Sequence, residues 1–457
     1  MKNRIPEKDP SSLEPGVTYK SALLWLPKEK VNLAVVRALA TVMSENRRTG
    51  EATSIEMCLD MGSHIAVPRE LFPNENLPQP VEYIENIGDN YEFPPCRGEL
   101  REDQVAAWEA LENQSKGVLN LACGKGKSFL AIKKMAQLGK ATIIILNQLT
   151  LIEQWREQIV FFLGMPEADI GLIQGKTLDW NKPVVLASIH TLVERLREGE
   201  LSWEMREHFG FCIFDEIHHL SAPTFLTTAP LFFGKRLGLS ATPTRQDGLE
   251  GLYFAHIGEI FYSDLTMHQK PKIYFQKLPT VVPEYARKDI CDCTGEVHIG
   301  RLAIWLGQND LRNIQIKRHI NEAVTAGRKI LALSHSKEHV MLLHRQTPHS
   351  GIITSDIPKG ERLGMLREHD VTFATTQIAK EGLDAPELDT VMFMTPFSDW
   401  NMAQQGVGRG TRLYAGKKRP VAVFFYDYAI DPAAGMLRAL MREMRRREWE
   451  YVIKDCS

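Results

Sequence analysis

The sequence of 457 residues has few cysteines, almost no excess charge and no long apolar run. Its seven cysteines are scattered and odd in number, which argues against a disulfide framework and favours a reducing compartment. No apolar stretch approaches the roughly 18 residues that a membrane span needs, and residues 1–12 are too polar for a secretory signal. We therefore expect a cytoplasmic protein without a membrane partner.

The net charge of −2 also excludes overall basicity as a reason for nucleic-acid binding, which would require local basic surfaces. Cys291, Cys293 and His298 are the one cluster that suggests a metal. A zinc site needs four ligands in paired spacings, and no second pair lies nearby, so we do not expect one. With 44% hydrophobic and 25% charged residues, the composition is that of an ordinary globular chain with room for two or three domains.

The chain alternates apolar runs with amphipathic segments over two long stretches, starting near Gly98 and again near Asp310. The apolar runs are continuous, which is typical of parallel strands covered on both faces. We therefore predict the α/β class, with two parallel-sheet domains in tandem. Their expected bounds are residues 96–265 and 266–457.

Residues 1–95 differ in composition from the rest of the chain. We predict a strand at residues 19–27 and a helix at residues 29–45, followed by short strands on either side of Gly62. Residues 74–95 are rich in proline, asparagine and acidic residues and indicate a linker. This region is expected to be a small α/β accessory domain that binds DNA.

The clearest chemical motif lies at residues 117–130, where an apolar strand is followed by Gly-Lys-Gly-Lys-Ser at 124–128 and then by an amphipathic helix. Glycines allow backbone N–H groups to surround an anion, and the helix N-terminus adds its dipole. Lys127 then reaches the β- and γ-phosphates, and Ser128 can ligate Mg²⁺. Leu121 stands where the strict eight-residue pattern has glycine, so an ordinary glycine-rich turn is the alternative.

A second apolar strand, predicted at residues 210–214, leads directly into Asp215 and Glu216. Ligands of open parallel sheets lie beyond the carboxyl ends of the strands. An aspartate at that place can hold Mg²⁺, and the adjacent glutamate can orient and deprotonate the attacking water. A surface acidic turn is the alternative.

With Ser240, Ala241 and Thr242, these segments resemble the first three core motifs of the superfamily 2 helicases of the DExH kind, and the later motifs follow in order. The resemblance implies two RecA-like domains that hydrolyse ATP with Mg²⁺ held by Ser128 and Asp215. The implied nucleotide-binding residues are Arg101, Gln104 (for adenine), Gly124, Gly126, Lys127, Ser128, Gly382 and Asp384. The implied coupling residues are His218, Ser240, Thr242 and Gln405.

Two arginines of the second domain complete the expected catalytic set of Lys127, Asp215 and Glu216. Arg409 and Arg412 lie three residues apart on one short predicted helix, so their guanidinium groups face the same side. The transition state of phosphoryl transfer gathers negative charge, and an inserted arginine can be worth roughly 10³ to 10⁵ in rate. A solvated basic helix is the alternative.

The resemblance also implies contacts with a nucleic-acid backbone from both domains. The implied residues are Asn147, Gln154, Trp155, Ser188, Thr191, His335, Ser336 and Thr376. Backbone contacts carry no sequence information, so binding is expected to be independent of sequence and strongly dependent on salt.

Within the superfamily, residues 237–250 are similar to the branch of XPB, UvsW and the restriction translocases, which acts on duplex or branched DNA. The sequence therefore predicts a monomeric DNA helicase or branch-migrating translocase of forks and Holliday junctions, of a phage type that works in the host cytoplasm. Three alternatives stay open: a duplex translocase subunit that does not separate strands, an RNA helicase, and a nucleotide-dependent DNA clamp without turnover.

Overall fold

The structure is a computed structural model that describes residues 7, 9–45, 52–84, 88–114, 116–122, 124–217, 222–241, 249–266, 270–292, 295–377, 385–411, 414 and 416–455. The chain divides into two compact units, Met1–Leu265 and Thr266–Ser457. Each unit contains a large sheet of mostly parallel strands between helices, which confirms the predicted class. Within these ranges, no helix is both long and apolar enough to cross a membrane.

The first unit begins with a small five-stranded sheet in the order β5-β6-β2-β1-β7. Its strands are β1 (Thr18–Lys20), β2 (Leu23–Pro27), β5 (Leu59–Met61), β6 (His64–Pro68) and β7 (Val81–Tyr83). Between β2 and β5 lie helix α1 (Leu33–Leu39) and a hairpin of β3 (Thr41–Glu45) and β4 (Ala52–Glu56). Leu24, Leu26, Ile65 and Val67 form its core with Val36 of α1.

Three expectations for this region were wrong in detail. The strand predicted at 19–27 is two antiparallel strands joined by a turn at Ser21 and Ala22. The predicted helix is only seven residues long, because the chain forms strand β3 from Thr41 and pairs there with β4. The hydrophobic periodicity of one segment does not reveal its pairing with another. The predicted linker contains β7, which pairs with β1 in parallel and so satisfies backbone groups that the composition had assigned to a loop.

The main sheet of the first unit has eight strands in the order β11-β10-β12-β9-β13-β14-β8-β15. They are β8 (Gly117–Leu121), β9 (Thr142–Leu146), β10 (Ile170–Gln174), β11 (Thr177–Leu178), β12 (Val184–Ser188), β13 (Phe211–Asp215), β14 (Lys235–Ser240) and β15 (Ile260–Asp264). The short β11 is antiparallel to β10, and the other pairs are parallel. Because helices cover both faces, the central strands of the sheet are buried and rich in Ile, Val and Leu.

The helices of this unit pack on the two faces of the main sheet. They are α2 (Glu102–Glu112), α3 (Lys127–Leu138), α4 (Leu149–Leu163), α5 (Ile189–Arg197), α6 (Trp203–His208), α7 (Ala222–Thr228) and α8 (Glu250–Ile257). One core lies on the side of α3 and α4, with Leu130, Ile132 and Ile159. The other includes Leu192 of α5 and Tyr253 of α8.

The second unit has a seven-stranded sheet, all parallel, in the order β18-β19-β17-β20-β21-β16-β22. Its strands are β16 (Lys272–Leu278), β17 (Ile330–Ser334), β18 (Gly351–Ile353), β19 (Val371–Thr375), β20 (Thr390–Phe393), β21 (Val421–Asp427) and β22 (Tyr451–Lys454). Its helices are α9 (Arg287–Ile290), α10 (Ile299–Gln308), α11 (Asp310–Thr325), α12 (Lys337–Arg345), α13 (Lys359–Glu368), α14 (Trp400–Gly410) and α15 (Asp431–Arg446).

A buried arginine attaches the N-terminal sheet to the main sheet of the first unit. Arg236 of β14 donates to Ala22 O at 2.8 Å, to Phe232 O at 3.0 Å and to His256 O at 2.9 Å. Burial lowers the pKa of this guanidinium to about 9. The three carbonyls belong to three separate segments, so Arg236 joins the turn of the small sheet to α8 and to the loop before β14.

A neighbouring ion cluster secures the same junction. Arg69 donates to Phe233 O at 3.0 Å and to Gly234 O at 2.9 Å, and it also pairs with Glu70. The buried Glu70 carboxylate further pairs with Lys20 at 3.0 Å and with Lys116, which directly precedes β8. The N-terminal region is therefore built into the first unit.

The second unit contains a buried ion pair at the carboxyl end of its sheet. Arg312 of α11 donates to both oxygens of Asp427, at 2.8 and 3.0 Å, and both side chains are fully buried. Arg312 also donates to Met394 O at 2.5 Å, and Thr280 Oγ1 donates to Asp427 at 2.6 Å. The pair thereby fixes the ends of β20 and β21.

Candidate functional site

The glycine-rich loop lies between β8 and α3, as the sequence predicts. Gly124 and Gly126 have φ angles of +83° and +78°, in the left-handed region that glycine adopts without strain. A Cβ at Gly126 would lie 2.2 Å from Gln104 Nε2, so this position also requires the absence of a side chain. Lys127 begins α3, and its Nζ donates to Leu121 O at 3.2 Å. Leu121 thus ends the strand, and the loop is built from the residues after it.

Two residues that the resemblance predicts to bind the nucleotide form hydrogen bonds with the backbone of the loop. Gln104 is only 2% exposed, and its Nε2 donates to Lys125 O at 3.0 Å. Its Oε1 accepts from the backbone N–H of Arg101 at 3.1 Å, and Arg101 Nη2 donates to Gly124 O at 3.1 Å. Both side chains therefore contact the loop backbone, while their contact with a nucleobase stays a prediction.

Asp215 ends β13 with a buried carboxylate. Its Oδ2 accepts from Trp155 Nε1 at 2.8 Å, and its Oδ1 accepts from the backbone N–H of Glu216 at 2.9 Å. Burial, followed by the charge of Glu216, raises the pKa of Asp215 to about 6, and the Trp155 hydrogen bond and Lys127 oppose this rise. The carboxyl end of β13 thus carries an aspartate that the protein holds through both oxygens.

Glu216 has a φ angle of +48°, which places a non-glycine residue in the left-handed region. Such a conformation costs on the order of 1–3 kcal/mol and is found at functional sites. The resulting turn brings Glu216 Oε1 within 3.9 Å of Lys127 Nζ. The structure therefore brings together Lys127, Asp215 and Glu216, three of the five residues predicted to be catalytic.

The predicted magnesium ligands Ser128 and Asp215 fit that ion chemically. A hydroxyl and a carboxylate are hard oxygen ligands, which Mg²⁺ combines with phosphate oxygens and water. Each Asp215 oxygen accepts one N–H group and so keeps a lone pair for a further bond. These two side chains would hold the ion, which would neutralise charge on phosphate oxygens.

Lys125 is a member of the loop whose role the sequence does not reveal. Its side chain is 5% exposed, and its Nζ lies 2.6 Å from Asp264 Oδ2 and 3.8 Å from Asp103 Oδ2. The backbone of Ala122 also donates to Asp264 O at 2.9 Å. Lys125 and Asp264 therefore tie the loop to the end of β15. A lysine between two glycines, two positions before the phosphate-binding Lys127, was the available signal.

The residues of the first unit that are predicted to contact nucleic acid differ in burial. Asn147 lies two residues before α4 and Gln154 is the sixth residue of that helix, and both are half-buried. The expectation for Trp155 was wrong, because this side chain is 2% exposed and donates to Asp215. Ser188 and Thr191 are also buried, and Thr191 Oγ1 accepts from the backbone of Gly175 at 3.0 Å.

In the second unit, the candidate residues follow β17 and β19. His335 approaches Thr395 Oγ1 through its backbone N–H at 3.0 Å and through Nδ1 at 2.9 Å. Ser336 caps α12 by accepting from the N–H of His339 at 3.2 Å. Thr376 follows β19 and is buried. A role for these residues in binding nucleic acid stays a prediction.

Two further candidates of the second unit lie on α14, where Arg409 is 8% exposed and Gln405 is half-buried. In the first unit, Ser240 is buried at the end of β14. The remaining predicted residues lie outside the described ranges. They are His218, Thr242, Gly382, Asp384 and Arg412.

Two family models match the chain, one in each unit. Residues 97–245 match the res subunit of type III restriction enzymes, and residues 313–414 match the helicase conserved C-terminal domain. The first match includes the glycine-rich loop with Asp215, and the second includes Arg409. The order of the two matches is that expected for a two-domain motor.

Curated relatives carry helicase names. The DNA 3'-5' helicase XPB of Mycobacterium tuberculosis is 34% identical over 164 residues, covering 35% of this chain and 29% of that protein. L396 of Acanthamoeba polyphaga mimivirus, named by inference as an ATP-dependent RNA helicase, is 25% identical over 82% of this chain and 73% of its own. D10 of Escherichia phage T5, also named a helicase by inference, is 24% identical over 79% of this chain and 78% of its own. The chain thus matches under a third of XPB but most of each viral relative.

A solved structure supports the same fold. The Saccharomyces cerevisiae Dbp5 structure, bound to RNA and ADP BeF3, has a TM-score of 0.55 to this chain at 14% identity. The match covers 78% of this chain and 89% of Dbp5. At this identity the likeness concerns the fold alone, which agrees with the tandem RecA-like domains expected from the sequence.

Proposed function

Because this chain belongs to superfamily 2 of the helicases, we propose that it is an ATP-driven motor that moves along DNA and separates or branch-migrates its strands. The observation that carries this proposal is the grouping of Lys127, Asp215 and Glu216 around a loop with two left-handed glycines. These groups are the ones that bind phosphates and activate water. A binding clamp without turnover has no use for Glu216 in this place.

In the proposed cycle, the backbone of the glycine-rich loop and Lys127 bind the phosphates of ATP. Glu216 orients the attacking water and accepts its proton, with its carboxylate held near Lys127. Arg409, and by resemblance Arg412, stabilises the charge that develops on the γ-phosphate. Hydrolysis then changes the affinity of the protein for the strand.

Duplex and branched DNA is the preferred substrate in this proposal. The motif at residues 237–250 and the similarity to XPB support DNA, and the match to most of D10 supports a viral helicase of similar size. Forks and Holliday junctions are proposed as the branched substrates. An RNA substrate is the second candidate, and the match to L396 favours it.

The deciding experiment measures ATP hydrolysis and strand separation with forks, Holliday junctions, blunt duplexes and RNA hybrids. We expect hydrolysis to be stimulated most by branched DNA. Stimulation by RNA alone would overturn the DNA assignment, and movement on duplex without strand separation would favour the translocase alternative. Steep salt dependence with little dependence on base sequence is expected for backbone binding.

Variants of the first unit test the assigned roles in the same assay. Lys127→Ala should lose nucleotide binding, and Glu216→Gln should retain binding but lose turnover. Lys133→Ala on the same helix α3 is the matched control, because that side chain packs over Trp108 and away from the loop. Full activity of Lys127→Ala would overturn the phosphate-binding role of the loop.

An arginine variant of the second unit tests the proposed role of Arg409. Arg409→Ala should leave ATP affinity within a few-fold and lower turnover by about 10³-fold, at the lower end of the effect of such arginines. The exposed Arg438→Ala on α15 is the control. Unchanged turnover in Arg409→Ala would remove this residue from the proposed mechanism.

A further inference from the structure

Helix α4 links the carboxyl end of β9 to the centre of the candidate site. It begins at Leu149, two residues after Asn147, and carries the half-buried Gln154 beside the buried Trp155. Neighbouring positions on a helix point about 100° apart, so α4 can present Gln154 to a ligand and Trp155 to the sheet. One helix therefore carries both Gln154, a predicted contact of the nucleic-acid strand, and Trp155, whose side chain lies in the interior.

The indole of Trp155 forms a hydrogen bond with the carboxylate of Asp215, a predicted Mg²⁺ ligand. Its Nε1 donates to Asp215 Oδ2 at 2.8 Å, and the Glu216 N–H donates to Oδ1 at 2.9 Å. In the described part of the chain, these are the two hydrogen-bond donors to the Asp215 carboxylate. The Glu216 donor belongs to the same turn as Asp215, whereas the Trp155 donor belongs to another element. A displacement of α4 would therefore act on Asp215 through Oδ2.

We propose that Trp155 is a positioning residue through which a nucleic-acid strand bound at the start of α4 sets the orientation of Asp215 and so stimulates ATP hydrolysis. This inference rests on the proposed function. The side chain suits the role because its body packs in the core with Ile152 and Ile159, which leaves the indole little freedom apart from that of the helix. An indole N–H is only a donor, so it keeps an ionised carboxylate as its partner. Partners of metal ligands commonly control the geometry of a site in this way.

The test compares Trp155→Phe with the wild type and with Trp108→Phe. Phenylalanine keeps most of the apolar volume but removes the donor, and Trp108 is another buried tryptophan of the same unit, on α2. In Trp155→Phe we expect the Mg²⁺ concentration for half-maximal hydrolysis to rise about 10-fold, the lower end of the effect of such partners. We also expect stimulation by DNA to be lost while DNA affinity is retained, because no strand contact is removed. Trp108→Phe should retain both properties.

A second measurement reads the hydrogen bond without turnover. In protein labelled with ¹⁵N-tryptophan, the indole N–H resonance of Trp155 can be identified as the one that Mn²⁺ with a non-hydrolysable ATP analogue broadens most. Branched DNA added without nucleotide or metal should shift this resonance. This measurement uses the wild type and so does not depend on the folding of a variant.

Three results would overturn the inference. They are a Trp155 resonance that DNA leaves in place, full DNA stimulation in Trp155→Phe, and an equal loss of stimulation in Trp108→Phe. A failure of the proposed function would look different, because the wild type itself would then show no nucleic-acid-stimulated hydrolysis.

Discussion

The two units accommodate a buried arginine in opposite ways. In the first unit, Arg236 donates to three backbone carbonyls, and burial lowers the pKa of its guanidinium to about 9. In the second, Arg312 forms a two-fold contact with the Asp427 carboxylate. One cation is thus held by the dipoles of distant segments and the other by a counter-charge at the end of a neighbouring strand.

This difference shows which parts of the chain depend on each other. Because one carbonyl partner of Arg236 is that of Ala22, the N-terminal sheet contributes to the environment of β14, the strand that ends at Ser240. The Arg312–Asp427 pair needs only elements of the second unit, and it fixes β20 just before Thr395, the partner of His335. The first unit is therefore the one whose candidate site relies on an accessory region.

The largest expected effect comes from removing residues 1–95. This truncation takes away the Ala22 carbonyl, Arg69 and Glu70, and it leaves Arg236 and Lys116 without those partners. We expect the first unit to lose about 5 kcal/mol or more of its free energy of unfolding, which is the whole stability of many domains. Limited proteolysis with identification of the fragments measures this loss, and the second unit of the same protein serves as the control. Unchanged resistance of residues 96–265 to proteolysis would show that the first unit does not depend on the N-terminal region for its stability.

A smaller loss is expected in the second unit when the counter-charge is removed. Asp427→Ala leaves the Arg312 cation buried without its carboxylate, which typically costs about 3–5 kcal/mol. Urea unfolding measures the change, and the double variant Arg312→Met with Asp427→Leu should recover much of it, because no charge then stays buried. If the double variant is as unstable as Asp427→Ala, the cost does not come from the unpaired charge.

Arg236→Met should cost less than Asp427→Ala. It removes three hydrogen bonds and leaves carbonyl groups without a donor, but it leaves no buried charge unpaired. We therefore expect the free energy of unfolding of the first unit to fall by about 2 kcal/mol. The same urea measurement applies, with Arg206→Met as a control for a partly buried arginine that donates to Leu231 O. If Arg236→Met lowers the free energy of unfolding as much as Asp427→Ala does, the two arginine sites do not differ in the energetic way proposed.

The smallest effect depends on pH and involves a neighbour of Arg312. Burial, followed by the charge of Arg312, lowers the pKa of His339 to about 3, and its ring nitrogens contact Ser334 and Asn313. The unfolded chain binds this proton below about pH 6.5 and the folded chain does not, so stability falls as the pH drops from there toward 3. Between pH 7 and 5 the wild type should lose about 1–2 kcal/mol more than His339→Asn in urea unfolding. Equal losses in the two proteins would show that His339 is not held neutral.

The sequence predicted the repeated sheets and the proximity of Lys127, Asp215 and Glu216 for physical reasons. Buried parallel strands give continuous apolar runs, and a loop that surrounds phosphate needs Gly124, Gly126 and Lys127 in local order. Contacts across the sheet have no such local pattern. Trp155 therefore looked like a surface contact of its motif, whereas it packs inside and donates to Asp215. The pairing of β7 with β1 was hidden in a composition typical of linkers for the same reason.

The bond between Lys125 and Asp264 has a consequence during synthesis on the ribosome. The two residues are 139 positions apart, and Asp264 is the last residue of β15, close to the end of the first unit. At about 5–20 residues per second, the ribosome needs roughly 7–28 seconds to translate that interval. The nascent loop therefore lacks the Asp264 carboxylate throughout this period, and the contact between Lys125 and Asp264 can form only once translation has reached the end of the first unit.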